Sequence, residues 1–460
     1  MATDWRGQLR PRWMTRDMVL VFSARGFMSA GRSLSAVVVP IYLAKAGFSA
    51  PMLGLLFAAT AIVSAVISSF VAALSDRIGR KPFLIGVPLL AAVSAIVFAA
   101  SDVTILLFVF AALGSFGRGA GAGGGSIGPY QPAEQAYIAD SVPGEVRNSV
   151  FGRMAVASSL GALIGGGPLA FLPDIATHFG MHGLDAYRPA FVAFAALALV
   201  AALLPIPIAP LRPVRTAGRM PFSLPRRSWS ILRKLWITNG LNGLAVGFFG
   251  PFVTYWFYRR FGAGPGTIGA LYTLINLAAM GSSLSAAPLA KRIGIVHAIV
   301  ISRVVSAVLI VPMVLAPHFW MAGGVYFIRM LVQRVSMPLR QSYVMGVVPP
   351  EERGVVAGLS NLPAQATSAT SPALAGYLFD HVAMAVPFEL GAAVQLLNAG
   401  LYYLYFHALR PPEEDEPRLV AGAPDDELAS LDGVPLHGPF ADAAEPPTAL
   451  APMEREPHRR

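Results

Sequence analysis

Apolar residues fill this chain in long runs, and short polar stretches interrupt them at regular intervals. Each run is near the ~20 residues an α-helix needs to cross ~30 Å of hydrocarbon. The pattern predicts twelve helices, at roughly 17–44, 51–74, 83–101, 104–139, 149–172, 187–209, 232–259, 266–289, 295–316, 319–347, 354–379 and 384–409. A Pro- and Arg-rich stretch, 205–230, parts them into six and six. The first run begins after Arg16 and is too long for the apolar region of a signal peptide, so it is expected to stay as a membrane helix. After residue 410 the chain turns to Pro, Ala and acids with no helical or strand period, the composition of a disordered tail.

The two sets of six are copies. Pro132–Gly152 reads PAEQAYIADSVPGEVRNSVFG and Pro338–Gly358 reads PLRQSYVMGVVPPEERGVVAG. At an offset of 206 residues Pro, Gln, Tyr, Val, Pro, Glu, Arg, Val and Gly recur in register. Ala72–Gly79 matches Ala287–Gly294 at offset 215, and Gly47 and Gly54 match Gly262 and Gly269 at the same offset. Repeats of this length in an apolar chain build carriers from two bundles with a site between them. The expected fold is therefore an all-α membrane protein of twelve transmembrane helices in two pseudo-symmetric six-helix bundles. The expected segments are a cytoplasmic N-terminal stretch, 1–16; a first bundle, 17–209; a linker, 210–231; a second bundle, 232–410; and the acidic tail, 411–460.

Composition agrees and removes alternatives. The chain is 55% hydrophobic and 13% charged, where a soluble domain carries about 25% charge. It has no Cys, which excludes disulfides, thiolate metal sites and Cys nucleophiles. No His/Asp/Glu cluster has metal-ligand spacing, and no G-x-x-x-x-G-K-[ST] phosphate loop is present, so neither a metal, a cofactor nor an enzymatic activity is expected. The net charge of +10 is uneven: the tail 411–460 holds 12 acids against four Lys/Arg, about −8, which leaves about +18 on the rest. That surplus lies in loops. Arg6, Arg10, Arg12 and Arg16, then Arg77, Arg80 and Lys81, then seven basic residues from Arg212 to Lys234, then Lys291 and Arg292, all fall on one side, with Arg259-Arg260 the main exception. Positive loops mark the cytoplasmic face, so both termini are expected inside and nucleic-acid binding is not.

Between the second and third helices the chain reads Asp76-Arg-Ile-Gly-Arg-Lys81, which resembles the G-x-x-x-D-R-x-G-R-[RK] loop of the major facilitator superfamily, with Ala72 in place of the first Gly. The resemblance covers about residues 17–410. It implies a secondary transporter that moves a small molecule through the lipid bilayer by alternating access, as a monomer, in a plasma membrane of the bacterial inner-membrane type. It implies that Asp76, Arg77, Gly79 and Arg80 form a gate stabilising the outward-facing state. Gly161-x-x-x-Gly165-Gly-Gly-Pro168 and Ser371-Pro-Ala-Leu-Ala-Gly376 are similar to the Gly/Pro-rich helices of the drug:proton antiporter branch, and Arg118 to that family's fourth-helix Arg, although the Gln expected after it is missing.

Ionisable residues within membrane helices are costly and point to function. Arg25 and Arg32 lie seven residues apart on one face of the first helix; Arg118 is in the fourth; Arg329 and Arg334, with Gln333 beside them, are in the tenth. These are the candidate substrate-binding residues, against the alternative that they pair structurally. Arg303 is expected to pack or snorkel. Glu134 is the one carboxylate placed inside a helix, hence the candidate proton carrier. In the repeat it aligns with Arg340, so the two are also a candidate gating pair between the halves, broken when the cavity opens inward. The Gly-rich run 117–128 either breaks the fourth helix around a cavity or allows close helix contact. Three functions fit: proton-coupled efflux of a small organic solute; a carrier of organic anions, uniporter, exchanger or symporter, using the five Arg; and a transporter-like receptor or scaffold.

Overall fold

The computed structural model describes residues 14–116, 128–142, 144–209, 227–282, 292–349 and 359–407, with positions 352, 356 and 409. The compact unit that contains them is Met1–Arg410; the acidic segment from Pro411 is a separate unit and lies outside the described residues. Among the described residues every regular element is a helix: α1 (Arg16–Lys45), α2 (Ala50–Ile78), α3 (Lys81–Ala100), α4 (Thr104–Leu113), α5 (Tyr130–Ser141), α6 (Gly144–Gly166), α7 (Leu172–His178) and α8 (Arg188–Leu203) in the first half. The second half has α9 (Trp229–Phe249), α10 (Val253–Phe261), α11 (Pro265–Ser282), α12 (Ile295–Val308), α13 (Ile310–Leu315), α14 (Phe319–Val347), α15 (Leu362–His381) and α16 (Val386–Phe406). Among the described residues, six stretches are long and apolar enough to cross a membrane unaided, beginning with Arg16–Lys45 and ending with Ile295–Leu315.

Local chemistry sets the ends of the helices. Thr15 and Ser49 cap α1 and α2 by accepting the N–H groups of Met18 and Met52. The Gly250-Pro251 pair divides the expected seventh span into α9 and α10 through a 3₁₀ turn, because Pro offers no N–H to the preceding turn. The repeat is visible in the backbone: Gly47 and Gly262 have φ of +89° and +65°, and Gly79 and Gly294 have +97° and +82°. These are left-handed or otherwise Gly-only turns, and they fall at matched positions of both halves.

Packing repeats as well. In the first half α1 packs along α6 and α8, and α3 packs along α8. The second half does the same with α9 on α15 and α16, and α12 on α16. The most extensive contacts between the halves are those of α2 with α15 and α6 with α11, and each is the image of the other under the repeat. Small residues allow this closeness. A Cβ on Gly54 would lie 2.3 Å from the Pro372 carbonyl oxygen, and one on Gly269 would lie 2.4 Å from that of Gly166. Leu55, Ile62, Val66 and Phe70 of α2 remain exposed, the face a bilayer would cover.

The expected fourth span is not one helix. α4 ends at Leu113, Ser115 has φ of +55°, and the chain turns again at Gly128 (φ +63°) before α5 begins. Positive φ at both edges takes the chain out of the helix. Residues 117–127, with Arg118, lie outside the described ones.

Candidate functional site

α1 runs through the middle of the first half and carries Arg25, Ser29 and Arg32 on one face. That face meets α5, α6 and the broken fourth span. Arg25 Nη1 donates to Glu134 Oε2 at 2.6 Å, and the two side chains are 5% and 0% exposed. A fully buried ion pair at this distance is a charge-assisted bond in a medium of low dielectric. Glu134 stands in the second turn of α5, and its other oxygen, Oε1, is buried without a hydrogen-bond donor among the described residues. One turn along α1, the Ser29 and Ser158 hydroxyls meet at 2.7 Å and tie α1 to α6. Arg32 sits at the break in the fourth span: Nη1 donates to the Ser115 carbonyl, and Gly128 lies beside Nη2. Its guanidinium thus serves a backbone group that the interrupted helix sets free.

The second half places its arginines differently. Arg329, on α14, is 7% exposed; its Nε donates to the Ser306 carbonyl at 3.1 Å and its Nη1 reaches Gln333 Oε1 at 3.5 Å. Its guanidinium lies over the Phe249 ring, 3.9 Å from the centroid. Cation–π contact and carbonyls replace a carboxylate here. Arg334, on the same helix, is half-buried. Arg303 packs over the Tyr402 ring at 4.6 Å, the structural role expected of it.

The structure thus brings Arg25 and Glu134 together in the first half, leaves Arg32 two turns along α1 at Ser115 and Gly128, and brings Arg329 to Gln333 in the second half. It does not join Glu134 to Arg340. In this conformation Glu134 is held by Arg25 of its own half, while Arg340 lies within electrostatic range of Arg303 and Tyr402. In the Asp76–Lys81 loop, Arg77 is exposed, and Arg80 bonds Asp140 (3.2 Å) and Ser75 (2.8 Å), both in the first half. The side chain of Asp76 is outside the described ones.

Hydrogen bonds that cross between the halves, among the described residues, gather at the opposite end of the bundle. Thr254 Oγ1 donates to the Ala36 carbonyl at 3.1 Å, the Ala50 N–H to Asp380 Oδ2 at 3.0 Å, and the Gly266 N–H to Asp174 Oδ2 at 2.9 Å. The Phe57 and Phe252 rings meet edge-on beside them, with centroids 5.6 Å apart. That end is closed. Neither aspartate stands out as a motif, although Leu172-x-Asp174 recurs as Leu378-x-Asp380 at the offset of 206.

The family model described as Major Facilitator Superfamily matches this chain twice, over residues 21–237 and 235–436. The chain belongs to that superfamily. The second match runs past residue 410, where the resemblance was expected to stop. Among curated relatives in the superfamily, the multidrug resistance protein MdtG of Proteus mirabilis (strain HI4320) is 24% identical over 410 residues, covering 85% of this chain and 96% of its own length. The quinolone resistance protein NorA of Staphylococcus aureus is 27% identical over 162 residues, 35% of this chain and 39% of its own length. Of solved structures, the nucleoside transporter NupG superposes with a TM-score of 0.61 at 13% identity, over 86% of this chain and 99% of that one. The chain is therefore a multi-pass, all-helical membrane transporter with this superfamily's fold, not an enzyme.

Proposed function

We propose that this chain exports a small organic solute in exchange for protons, by rocking its two halves, 17–209 and 232–410, about a site between them. The observation that carries the reading is the buried Arg25–Glu134 pair. Glu134 bridges α5 to α1, has one oxygen on Arg25 and leaves the other without a donor among the described residues. Such a carboxylate can exchange its arginine for a proton when α1 and α5 part, which links protonation to the position of helices. The likeness to MdtG and NorA, named for multidrug and quinolone resistance, supports export. The basic loops support a cytoplasmic position for the Asp76–Lys81 end in a plasma membrane, with the end that carries the three inter-half hydrogen bonds outside. The acidic segment 411–460 is then cytoplasmic too.

A second reading, a carrier of organic anions, has its own support. Arg329 is buried on Phe249 with no acidic partner among the described residues, and a guanidinium so placed suits a carboxylate or phosphate. One experiment separates the two. Internal pH is followed in proteoliposomes of the purified protein, challenged in turn with lipophilic cations and small organic anions, with Glu134→Gln alongside. Proton movement evoked by a cation and lost in Glu134→Gln is the expected result. Flux evoked by anions alone, intact in Glu134→Gln, overturns proton-coupled export in favour of the Arg329 reading.

A further inference from the structure

At the closed end the same bond is made twice. Asp174, in the first turn of α7, reaches into the second half and accepts the N–H of Gly266 in the first turn of α11. Asp380, in the last turn of α15, reaches into the first half and accepts the N–H of Ala50, the first residue of α2. The two aspartates are 206 residues apart, and the two helices they cap begin 215 residues apart, at Ala50 and Pro265. These are the two offsets of the internal repeat. Pro372 and Gly166, whose carbonyls press on Gly54 and Gly269, are also separated by 206 residues. Each carboxylate is thus seated beside a glycine-mediated contact between the halves.

The chemistry of each seat is one-directional. The first N–H groups of a helix have no partner within it and carry the positive end of its dipole. A carboxylate there makes a charge-assisted bond, stronger than one between neutral groups. In both seats the donor belongs to one half and the acceptor to the other, so neither bond survives separation of the halves at this end. Gly264 and Gly266 leave Asp174 the room it occupies: a Cβ on Gly266 would stand 2.4 Å from Asp174 Oδ2.

We infer that Asp174 and Asp380 are a paired latch that holds this end shut, and that both bonds must break each time the transporter opens to that side. The inference rests on the alternating-access reading above. It assigns gating to two carboxylates lying just beyond the expected ends of the fifth and eleventh spans, and it makes the latch a product of the repeat.

The test uses the absence of native Cys. Spin labels on Cys at exposed Phe179 and Leu315 report separation of the halves at the latched end, and labels at exposed Ile206 and Leu404 report the opposite end. Distances are measured by electron–electron double resonance in lipid nanodiscs, across pH and with a lipophilic cation present. Wild type is expected to show two populations at each end, exchanging in opposite senses. Each of Asp174→Ala and Asp380→Ala should lower the closed-to-open ratio at the latched end about tenfold, and the double variant about a hundredfold, the scale of a hydrogen bond to a charged group. Asp→Asn variants keep an acceptor oxygen without the charge and should shift the ratio less, which also guards against a fold-wide effect of truncation. Two populations in wild type with ratios unmoved in every variant overturn the latch and leave alternating access standing. A single distance at both ends of wild type under all conditions overturns alternating access, and the latch with it.

Discussion

Removal of either partner from the Arg25–Glu134 pair should destabilise the protein, and removal of both should restore it. The side chains are 5% and 0% exposed and their atoms meet at 2.6 Å, so neither charge can turn to water when the other is lost. Breaking such a pair by deleting one member costs about 3–5 kcal/mol where the survivor is left buried with its charge unbalanced, as Glu134 is when Arg25 is removed. Replacing both with apolar residues of similar volume is close to neutral or stabilising. Arg25→Met alone and Glu134→Leu alone should therefore each unfold at markedly lower temperature in detergent, while the double variant should return near wild type. The double-mutant cycle should show a coupling of at least ~3 kcal/mol. Transport reads the pair separately. The double variant should fold but move no protons, because under the proposed function Glu134 carries them. Additive losses, with the double variant as unstable as the two single losses combined, would refute the reasoning: the two charges would then be held by other groups.

Further outcomes follow from the packing and from the loops. Gly54→Ala and Gly269→Ala each drive a Cβ onto a backbone carbonyl at 2.3 and 2.4 Å, which cannot move aside as a side-chain tip can. The cost of such overpacking, about 1–3 kcal/mol, falls on the closed state alone, so Ala36→Cys should react faster with an impermeant maleimide in either background; an unchanged rate would show that the halves do not part here. At the basic end, half-buried Glu352 accepts the N–H groups of Ser228 (2.8 Å) and Arg227 (3.2 Å) just before α9. The Ser228 side chain first, and then these two N–H groups and the Arg227 charge, hold its carboxyl below the usual glutamate range against the opposing effect of burial. The sign follows: the contribution is complete above the ordinary carboxylate pKa and disappears as pH falls through the lowered one. Hydrogen exchange over residues 227–235 should quicken in Glu352→Ala at neutral pH and converge with wild type in acid.

The architecture was legible because the signals behind it are local and repeated. Apolar runs of spanning length, basic loops and the offsets of 206 and 215 call for two bundles, and α14 begins and ends at the expected residues, Phe319 and Val347. The breaks were harder to read. Gly250-Pro251 and the Ser115–Gly128 stretch interrupt apolar runs that hydropathy alone reads as continuous. The partner of Glu134 was not legible at all. Repeat register points from Glu134 across the axis to Arg340, but it says nothing of which helix lies beside α5 within its own half, and that neighbour supplies Arg25. Asp174 and Asp380 escaped for a related reason. They fall just past the apolar runs, where an acid looks like any solvated loop residue, and only the start of a helix in the other half gives each its partner.

What repeats and what does not divides the molecule by role. Turns at Gly47 and Gly262, tight contacts at Gly54 and Gly269, and carboxylates at Asp174 and Asp380 all come in matched pairs. The last two pairs lie between the halves, and under the proposed function their two-fold arrangement loads both sides of that interface alike. The position that holds Glu134 breaks the rule, since its image is Arg340. A carboxylate in both halves would give two coupling sites at matched depth, each raising the other's pKa when both face one cavity. With the carboxylate in one half and an arginine in the other, a single proton site can be paired within the first half, as it is here with Arg25. The second half carries no such carboxylate at that position, and its buried Arg329 rests on the Phe249 ring. Under the proposed function, symmetry serves the motion and its local loss at 134 and 340 serves the chemistry.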